Sequence, residues 1–476
     1  MQWNVTMKRI SKSTRIFNKQ KDIIPGLARI CAVAACKGSR AVLHRVGSGG
    51  TSFPGRAAML LKKDLLAAVS EGMNCIVVTG TNGKTTTSAM LARMMQLAGL
   101  DPVSNRSGAN LRAGVTAELA ANIRRGRPVK RVAVLECDEA ALRTLAGDLK
   151  PKILVFTNVF RDQLDRYGEV THTLLELETA AKAAPEAVLC LNADDSLIAS
   201  ISLECENPVR FYGLRVPFPR ETGERSDAPN CIRCGHRYEY AYRTYAHLGG
   251  FFCPNCSWRR PAPDLEITEI RAMDREGSDV TLRVGARSVP LHVPMPAIYN
   301  IYNALAATSA LVAFGVDAET IRASMHAAAG FGRMERFPIG KGVTMILVKN
   351  PAGFTQVLDY LAGMEEDFDL MCCLNDKAQD GRDISWIWDV PLEQLAGGAI
   401  RVREVFASGT RIEEMLLRLK HAGLPNASLH PVKDDLAFLR TVTAGERPLV
   451  IVPTYTAMMR LRPVLAHRTR QREFWE

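Results

Sequence analysis

Short apolar runs recur along the first half of this chain and alternate with stretches of helical periodicity. Four of these runs, each of three to five residues, predict buried strands at 76–78, 132–135, 153–156 and 187–191. Strands that are apolar on both faces need a layer of helices on each side. The pattern therefore predicts an α/β fold in which helices cover both faces of a mainly parallel sheet.

The same alternation returns in the last third of the chain. Apolar runs at 345–348, 370–374, 404–407 and 448–452 predict a second, smaller α/β domain of the Rossmann-like type. A chain of 476 residues is also longer than a single hydrophobic core usually supports. We predict three units, which are a basic amino-terminal segment with a glycine-rich linker, a central domain and a carboxyl-terminal domain, at 1–55, 56–337 and 338–476.

A glycine-rich turn follows the first predicted strand and precedes a helical pattern. Its sequence is Gly80-Thr81-Asn82-Gly83-Lys84-Thr85-Thr86, with two residues between the glycines where the common phosphate-binding motif has four. In such a turn the backbone N–H groups hold phosphate oxygens, Lys84 neutralises the terminal phosphates and the Thr85 hydroxyl reaches Mg²⁺. The turn predicts an ATP site, and a glycine turn with an incidental Lys-Thr pair is the plain alternative.

Polar residues follow three of the predicted strands, at 136–139, 157–169 and 192–195. The carboxyl ends of parallel strands share one edge of a sheet, so these residues are expected to converge there. Because Mg²⁺ prefers a few hard oxygens together with phosphates, Glu136 is predicted to act with Thr85 as a magnesium ligand. A single carboxylate of this kind could be a helix cap, but three converging sets favour a nucleotide site.

A metal-binding pattern lies in the middle of the chain. Cys231 and Cys234 form one Cys-x-x-Cys pair, and Cys253 and Cys256 form a second pair after eighteen residues. This spacing predicts a small ribbon at about 225–262 whose four thiolates hold a structural zinc ion. Acidic residues after the ribbon and the lack of a basic stripe argue against a nucleic-acid partner. The other eight cysteines are expected to be small core residues rather than disulfides.

The net charge of +11 is concentrated at the amino terminus. Residues 1–50 contain ten Lys or Arg and one acid, interleaved with apolar side chains. This composition fits an amphipathic helix near anionic lipid and equally fits a solvated basic helix. No apolar run reaches the ~18 residues of a membrane span, so we expect a cytoplasmic chain that can meet the inner face of the membrane peripherally.

Together these motifs resemble the Mur ligases, ATP-dependent enzymes that join amino acids to peptidoglycan precursors through an acyl phosphate. The resemblance rests on the shortened loop, Glu136, the strand-end runs at 157–165 and 192–195, the helix that opens with Asn300 and Asn303, and Asn350-Pro351. It implies that Asn300, Asn303 and Arg333 join residues 80–86 in binding ATP. Many members have a His in the run Asp162-x-Leu164-Asp165 where Gln163 stands here, so the magnesium contact of that His is not carried over.

Within this family the chain is similar to a branch that works as the ligase subunit beside a GatD-like class I glutamine amidotransferase. The ribbon and the stretch 374–389 carry this similarity. It implies amidation of the D-glutamate α-carboxylate in lipid II to D-isoglutamine, with ammonia supplied by the partner. In this branch an aspartate of the ligase subunit completes the catalytic Cys-His pair of the amidotransferase across the interface. The resemblance implies that Asp383 is the corresponding residue of this chain. The alternative is that Asp383 caps the helical stretch that follows it.

The expected catalytic residues are therefore Lys84, Glu136 and Asp383. No Gly-x-Cys-x-Gly elbow occurs in the chain, which agrees with a glutaminase on a separate subunit. Two other functions stay open at this point. One is a stand-alone ligase that adds an amino acid to a UDP-linked precursor, and the other is a zinc-ribbon adaptor with a regulatory nucleotide site.

Overall fold

The computed structural model describes residues 26–45, 52–105, 109–161, 170–217, 227–274, 276–326, 334–442 and 445–469. Within these residues, strands and helices alternate as predicted, and the α/β fold class is confirmed. Among the described helices, none combines the length and the hydrophobicity needed to cross a membrane.

The described strands form two large sheets and two separate hairpins. In chain order the strands are β1 (Asn74–Thr79), β2 (Val103–Ser104), β3 (Ile123–Arg124), β4 (Arg127–Pro128), β5 (Val132–Glu136), β6 (Ile153–Phe156), β7 (Val188–Asn192), β8 (Val209–Leu214), β9 (Glu239–Tyr245), β10 (Leu248–Phe252), β11 (Leu265–Met273), β12 (Ser278–Val284), β13 (Arg287–Val293), β14 (Met334–Phe337), β15 (Val343–Ile346), β16 (Phe368–Leu374), β17 (Val402–Gly409), β18 (Leu429–Pro431) and β19 (Leu449–Pro453).

The described α-helices connect these strands. They are α1 (Leu27–Arg45), α2 (Phe53–Leu61), α3 (Leu65–Ser70), α4 (Lys84–Leu97), α5 (Arg112–Ala121), α6 (Glu139–Leu149), α7 (Val170–Lys182), α8 (Ser196–Glu204), α9 (Ile298–Phe314), α10 (Ala318–His326), α11 (Pro351–Ala362), α12 (Ile412–His421), α13 (Asp435–Val442) and α14 (Tyr455–Thr469). Three short 3₁₀ turns follow the second sheet's strands, at Ser385–Asp389, Leu392–Leu395 and Asn426–Ser428.

The first sheet has the strand order β13-β12-β11-β8-β7-β6-β1-β5-β2. The seven strands β2, β5, β1, β6, β7, β8 and β11 follow one another across the sheet, and each pairs in parallel with the next. Strands β12 and β13 extend the sheet beyond β11 through antiparallel pairings. Side chains of β1 alternate between two cores, with Cys75 and Val77 facing one and Ile76 and Val78 facing the other. Helices α1, α3, α5, α6 and α7 pack in the first core, and α4, α9 and α10 pack in the second. The β-branched run at 76–78 is apolar throughout because both of its faces are buried.

The second sheet has the order β14-β15-β19-β16-β17-β18. All of its pairings are parallel except that of β14 with β15. Its central strand β16 sends Leu370 and Cys372 to one core and Met371 and Cys373 to another. The predicted second α/β unit therefore forms, while the residue boundaries given above for the three units stay predictions.

Two local expectations from the sequence are wrong. Phe53, Pro54 and Gly55 were assigned to the linker, but they form the first turn of α2, where Pro54 supplies the fixed φ that a helix start favours. Cys31 is exposed on α1 rather than buried, whereas six of the other cysteines outside the ribbon are in the core. The basic segment at residues 1–25 lies outside the described residues.

Candidate functional site

The phosphate loop lies between β1 and α4, at the carboxyl edge of the first sheet. Gly80 has a φ of 120°, and a Cβ at this position would lie 2.3 Å from Thr157 Oγ1. Gly83 has a φ of 85°, and its Cβ would lie 2.0 Å from Asn303 Oδ1. Both glycines are required by backbone conformation and by close approach, because a side chain at either position would be strained and would clash.

Residues that follow β6 hold this loop in place. Asn158 accepts a hydrogen bond from Thr81 N at its backbone oxygen (2.8 Å) and one from Asn82 N at Oδ1 (2.9 Å). Thr157 Oγ1 donates to Asn82 O at 2.7 Å, and Phe160 N donates to Thr81 Oγ1 at 3.1 Å. The neighbouring strand end therefore fixes the conformation of the loop.

Lys84 begins α4 and is buried, with 9% of its surface exposed. Its Nζ donates to Gly80 O at 2.6 Å and lies 2.7 Å from Glu139 Oε1. Burial opposes the charge on this amine, but the carboxylates of Glu139, Asp138 and Glu136 outweigh it and raise the pKa of Lys84. The side chain is thus a stable cation beside the phosphate loop. Glu139 was not among the predicted site residues, although it belongs to the acidic run that follows β5.

Glu136 ends β5 and is buried at the same edge as the loop. Asn105 fixes its backbone, because Oδ1 accepts from Glu136 N (2.9 Å) and Nδ2 donates to Glu136 O (2.7 Å). Thr85 is exposed on the first turn of α4. A buried carboxylate and an exposed hydroxyl beside a lysine and a phosphate loop form a donor set that suits Mg²⁺ with phosphate oxygens.

The third strand end does not contribute a metal site. Asp195 caps α8, accepting from Leu197 N (2.9 Å) and Ile198 N (3.2 Å) at Oδ1. Asp194 is fully buried, where Arg260 Nε donates to Oδ1 at 2.6 Å and Tyr302 OH donates to Oδ2 at 2.7 Å. Contrary to the sequence-based expectation, this pair is structural, because both carboxylates are already satisfied by the protein.

A cleft lies between the phosphate loop, α9 and the second sheet. Its walls combine amide side chains with three tyrosine rings and aliphatic groups, and its lining includes Asn82, Asn158, Asn303, Gln356, Tyr245, Tyr299, Tyr302, Leu248, Ile346 and Val357. The start of α11 contacts the phosphate loop directly, since Asn350 Nδ2 donates to Asn82 Oδ1 at 3.0 Å. An aromatic wall with a few amides is suited to a planar heterocycle such as adenine.

The two asparagines of α9 have different places in this cleft. Asn303 lines it and accepts from Thr87 Oγ1 at 3.3 Å. Asn300 supports Asn303 from behind, accepting from its Nδ2 at 3.4 Å and donating to Pro296 O at 2.6 Å. The structure thus brings residues 80–86, Glu136 and Asn303 to one edge, with Asn300 one layer further away. Arg333 and the run from Asp162 to Asp165 lie outside the described residues, as does Gln163.

Asp383 lies away from the loop, in the stretch that follows β16. Its Oδ1 accepts from Ser385 N at 2.8 Å, at the start of the 3₁₀ turn Ser385–Asp389, and its side chain is half-buried. This is the geometry of a cap, the alternative stated above, and it leaves the carboxylate partly accessible. Asp389 at the end of the turn lies 3.8 Å from Arg161, so this stretch adjoins the loop after β6.

The four ribbon cysteines come together as predicted. Their sulfur atoms all lie within 4.8 Å of one another. The two pairs adopt matching turns, in which Gly235 N donates to Cys231 O (2.8 Å) and Ser257 N donates to Cys253 O (3.2 Å). Hydrogen bonds from Asn255 and from backbone lower the pKa of the Cys234 thiol to about 6. Four sulfurs at this separation, with a readily ionised thiol among them, fit a tetrahedral zinc ion.

Contacts of the ribbon reach the strand ends of the first sheet. Phe251 packs with Ala199 of α8 in a small apolar cluster. His247, in the β9–β10 turn, lies 4.7 Å from the Phe160 ring and 3.5 Å from Asp195 Oδ2. Burial disfavours the imidazolium, but the Asp195 carboxylate outweighs this and raises the pKa of His247. The ribbon is therefore packed against the residues that hold the phosphate loop.

We expect Cys256→Ser to release zinc and to lower the melting temperature by several degrees, because a structural zinc site contributes directly to folding. Metal analysis should find one zinc per wild-type chain. Cys31→Ser is the matched control, since Cys31 is exposed on α1, and it should retain both zinc and stability. A zinc-free wild-type preparation with the same melting temperature would show that the cysteines do not depend on a metal.

Comparison with known proteins places the chain among the peptidoglycan ligases. A profile of the Mur ligase middle domain matches residues 78–218, and a profile of the MurT ligase C-terminal domain matches residues 347–458. Two solved structures share the fold. A pseudomurein peptide ligase type C from Methanothermus fervidus gives a TM-score of 0.64 at 18% identity over 85% of this chain and 81% of its own. MurF ligase from Thermotoga maritima in complex with ADP gives 0.59 at 12% identity over 87% and 84%.

One relative is similar to this chain along nearly the whole length of both proteins. It is the Streptococcus pneumoniae protein named lipid II isoglutaminyl synthase (glutamine-hydrolyzing) subunit MurT. It is 33% identical over 443 residues, which are 91% of this chain and 96% of the relative. The similarity confirms both the predicted family and the predicted branch. The chain belongs to the MurT family of Mur-type ligases.

Proposed function

We propose that this chain amidates the α-carboxylate of D-glutamate in the stem peptide of lipid II, with ATP as the energy source. Support comes from its membership of the MurT family and from the cleft that joins the phosphate loop to α9 and the second sheet. The single observation that carries most weight is Lys84, held at 2.7 Å from Glu139 beside a loop braced by Asn158. A buried lysine beside a phosphate loop can stabilise the negative charge that develops when a phosphoryl group is transferred.

In the proposed reaction, an oxygen of the D-glutamate carboxylate attacks the γ-phosphorus of ATP, and ADP leaves. The product is an acyl phosphate. Ammonia then attacks its carbonyl carbon, loses a proton and displaces phosphate, which leaves the primary amide of D-isoglutamine. The carboxylate alone is a poor electrophile, so the first step converts its oxygen into a leaving group.

The residues of this site act mainly by position and charge. Backbone N–H groups of residues 80–86 bind the phosphates, and Lys84 stabilises the negative charge that develops on the transferred group. Glu136 and the Thr85 hydroxyl are the groups that would hold Mg²⁺, which would supply positive charge beside the phosphates. Asn303 and the tyrosine wall bind the base, and Arg333 is proposed to join them. A zinc ion held by the four ribbon cysteines would have a structural role, since four thiolates would leave it no open position.

A class I glutamine amidotransferase is the proposed partner. The relative is named as a subunit of a glutamine-hydrolysing synthase, and this chain contains no nucleophile elbow for a glutaminase. Asp383 is proposed to orient the partner's catalytic His, because a carboxylate on the far imidazole nitrogen fixes the tautomer and stabilises the imidazolium. Its partial accessibility beside the turn Ser385–Asp389 suits this role.

The test is a reaction of the purified chain with ATP, Mg²⁺ and detergent-solubilised lipid II, supplied with either ammonium or a free amino acid. With ammonium we expect a product whose mass reflects replacement of one hydroxyl by an amine, and one ADP per amide. Addition of an amino acid residue would favour the stand-alone ligase instead. Absence of lipid II-dependent ADP formation would favour the adaptor with a regulatory nucleotide site.

A further inference from the structure

Exposed large apolar side chains are concentrated in the first two helices. Among the described residues thirteen such side chains are exposed, and five of them belong to α1 and α2, which together have 28 residues (19 and 9). The five are Ile30, Val42, Phe53, Leu60 and Leu61. We call this set the α1–α2 face. Exposed apolar side chains concentrated in one part of a molecule often mark an interaction site.

The packing of α2 explains why one side of it is exposed. Pro54, Gly55 and Ala58 are buried, and a Cβ on Gly55 would lie 1.8 Å from the Ala113 backbone oxygen of α5. At 100° per residue, Phe53 and Leu60 fall on the opposite side of the helix. Phe53 is 59% exposed and Leu60 is 87% exposed. The side that packs on α5 is thus made of small residues, and the large ones point outward.

Basic groups surround the α1–α2 face. Arg56 is exposed between Phe53 and Leu60, and Lys63 is exposed just after α2. Among acids near α2, Asp64 is already paired with Lys62 at 2.7 Å. The charge around this face is therefore positive.

A second basic element adjoins α1. Lys37 Nζ donates to Ile123 O at 2.5 Å, which joins α1 to the β3–β4 hairpin. Residues 124–131 contain five basic side chains and no acid, and Val129 within them is 63% exposed. One of the five, Lys130, pairs with Asp101 at 2.8 Å. The β3–β4 hairpin therefore resembles the α1–α2 face, because both combine exposed apolar side chains with basic ones.

We infer that the α1–α2 face docks on an anionic lipid bilayer. Apolar side chains would enter the boundary of headgroups and acyl chains, while Arg56, Lys63 and the basic hairpin contact anionic headgroups. The inference rests on the proposed function, because a lipid-linked substrate is held at a membrane. It adds to that function a specific surface that brings the ligase to its substrate.

The experiment measures binding of the full chain to vesicles, without ATP or lipid II. Vesicles of phosphatidylglycerol with phosphatidylcholine are compared with vesicles of phosphatidylcholine alone, at low and high salt. Phe53→Ser with Leu60→Ser should weaken binding to the anionic vesicles about tenfold, since two large apolar side chains leave the bilayer boundary. The matched control is Leu175→Ser with Leu203→Ser, two exposed leucines on α7 and α8, which should bind as wild type.

A charge variant provides independent support. Arg56→Glu with Lys63→Glu should weaken binding to the anionic vesicles at low salt and leave the melting temperature unchanged. This charge variant therefore tests the inference even if the serine variant is unstable. Wild-type binding by either face variant, or no binding of the wild-type chain, would overturn the inference. A dimer that dissociates in the serine variant without any vesicle effect would assign the face to a second copy instead. Amidation of detergent-solubilised lipid II is measured separately, so loss of vesicle binding is distinguishable from failure of the proposed function.

Discussion

Lys84→Met is expected to lower the rate of ATP-dependent amidation by at least about 100-fold, because the variant loses the cation that stabilises charge on the transferred phosphoryl group. The same variant should also be less stable than the wild type. Lys84 is buried and paired with Glu139 at 2.7 Å, so its removal leaves a buried carboxylate without its cation, at a cost of roughly 3–5 kcal/mol. Because Lys84 is buried, with 9% of its surface exposed, its replacement is expected to affect stability as well as catalysis.

A second variant separates the two effects. Lys84→Met combined with Glu139→Gln removes both charges, so thermal unfolding should return toward the wild-type temperature while amidation stays lost. Rates and melting temperatures measured on the same preparations decide the matter. If the double variant amidates lipid II at the wild-type rate, the phosphate loop is not the catalytic site.

Asp383→Asn is expected to reduce glutamine-dependent amidation by the complex about 100-fold, because an amide cannot stabilise the imidazolium of the partner's catalytic His. Amidation from added ammonium needs only the ATP site and should persist. The asparagine is chosen because its side-chain oxygen can still accept from Ser385 N, as Asp383 does at 2.8 Å, and asparagine caps helices as well as aspartate does. Stability should therefore be unchanged.

Asp383→Ala is the comparison that removes the cap as well. If Asp383 is only a cap, the asparagine variant should behave as wild type, and the alanine variant should lose both activities together through stability. If Asp383 also orients the partner's His, the asparagine variant should lose the glutamine reaction alone, and the alanine variant should lose the glutamine reaction together with the stability that the cap provides. Full glutamine-dependent activity in Asp383→Asn would rule out a carboxylate shared between the subunits.

The central strands were predictable because they are buried on both faces. Apolar runs such as 153–156 and 370–374 leave little choice of structure, and they coincide with β6 and the end of β16. The phosphate loop was predictable because its backbone has a positive φ at Gly80 and Gly83, a conformation that favours glycine. These features depend on a few consecutive residues.

Long-range partners were not predictable in the same way. The acidic run after β5 offers three carboxylates, and only the folded chain selects Glu139 as the group that touches Lys84, 55 residues away. Likewise, Asp194 looked like a metal ligand until the fold placed Arg260 beside it from 66 residues away. Which carboxylate is free for a ligand depends on where distant cations are brought by folding.

The most direct measurement of the central claim follows an oxygen atom. Lipid II labelled with ¹⁸O in the D-glutamate α-carboxylate is incubated with the purified chain, ATP, Mg²⁺ and ammonium, and the released phosphate is analysed by mass spectrometry. An acyl phosphate transfers one carboxylate oxygen to phosphate for each amide formed, so we predict one ¹⁸O per phosphate and a matching amount of D-isoglutamine. Amide formation with unlabelled phosphate, or ATP hydrolysis without amide, would contradict the account.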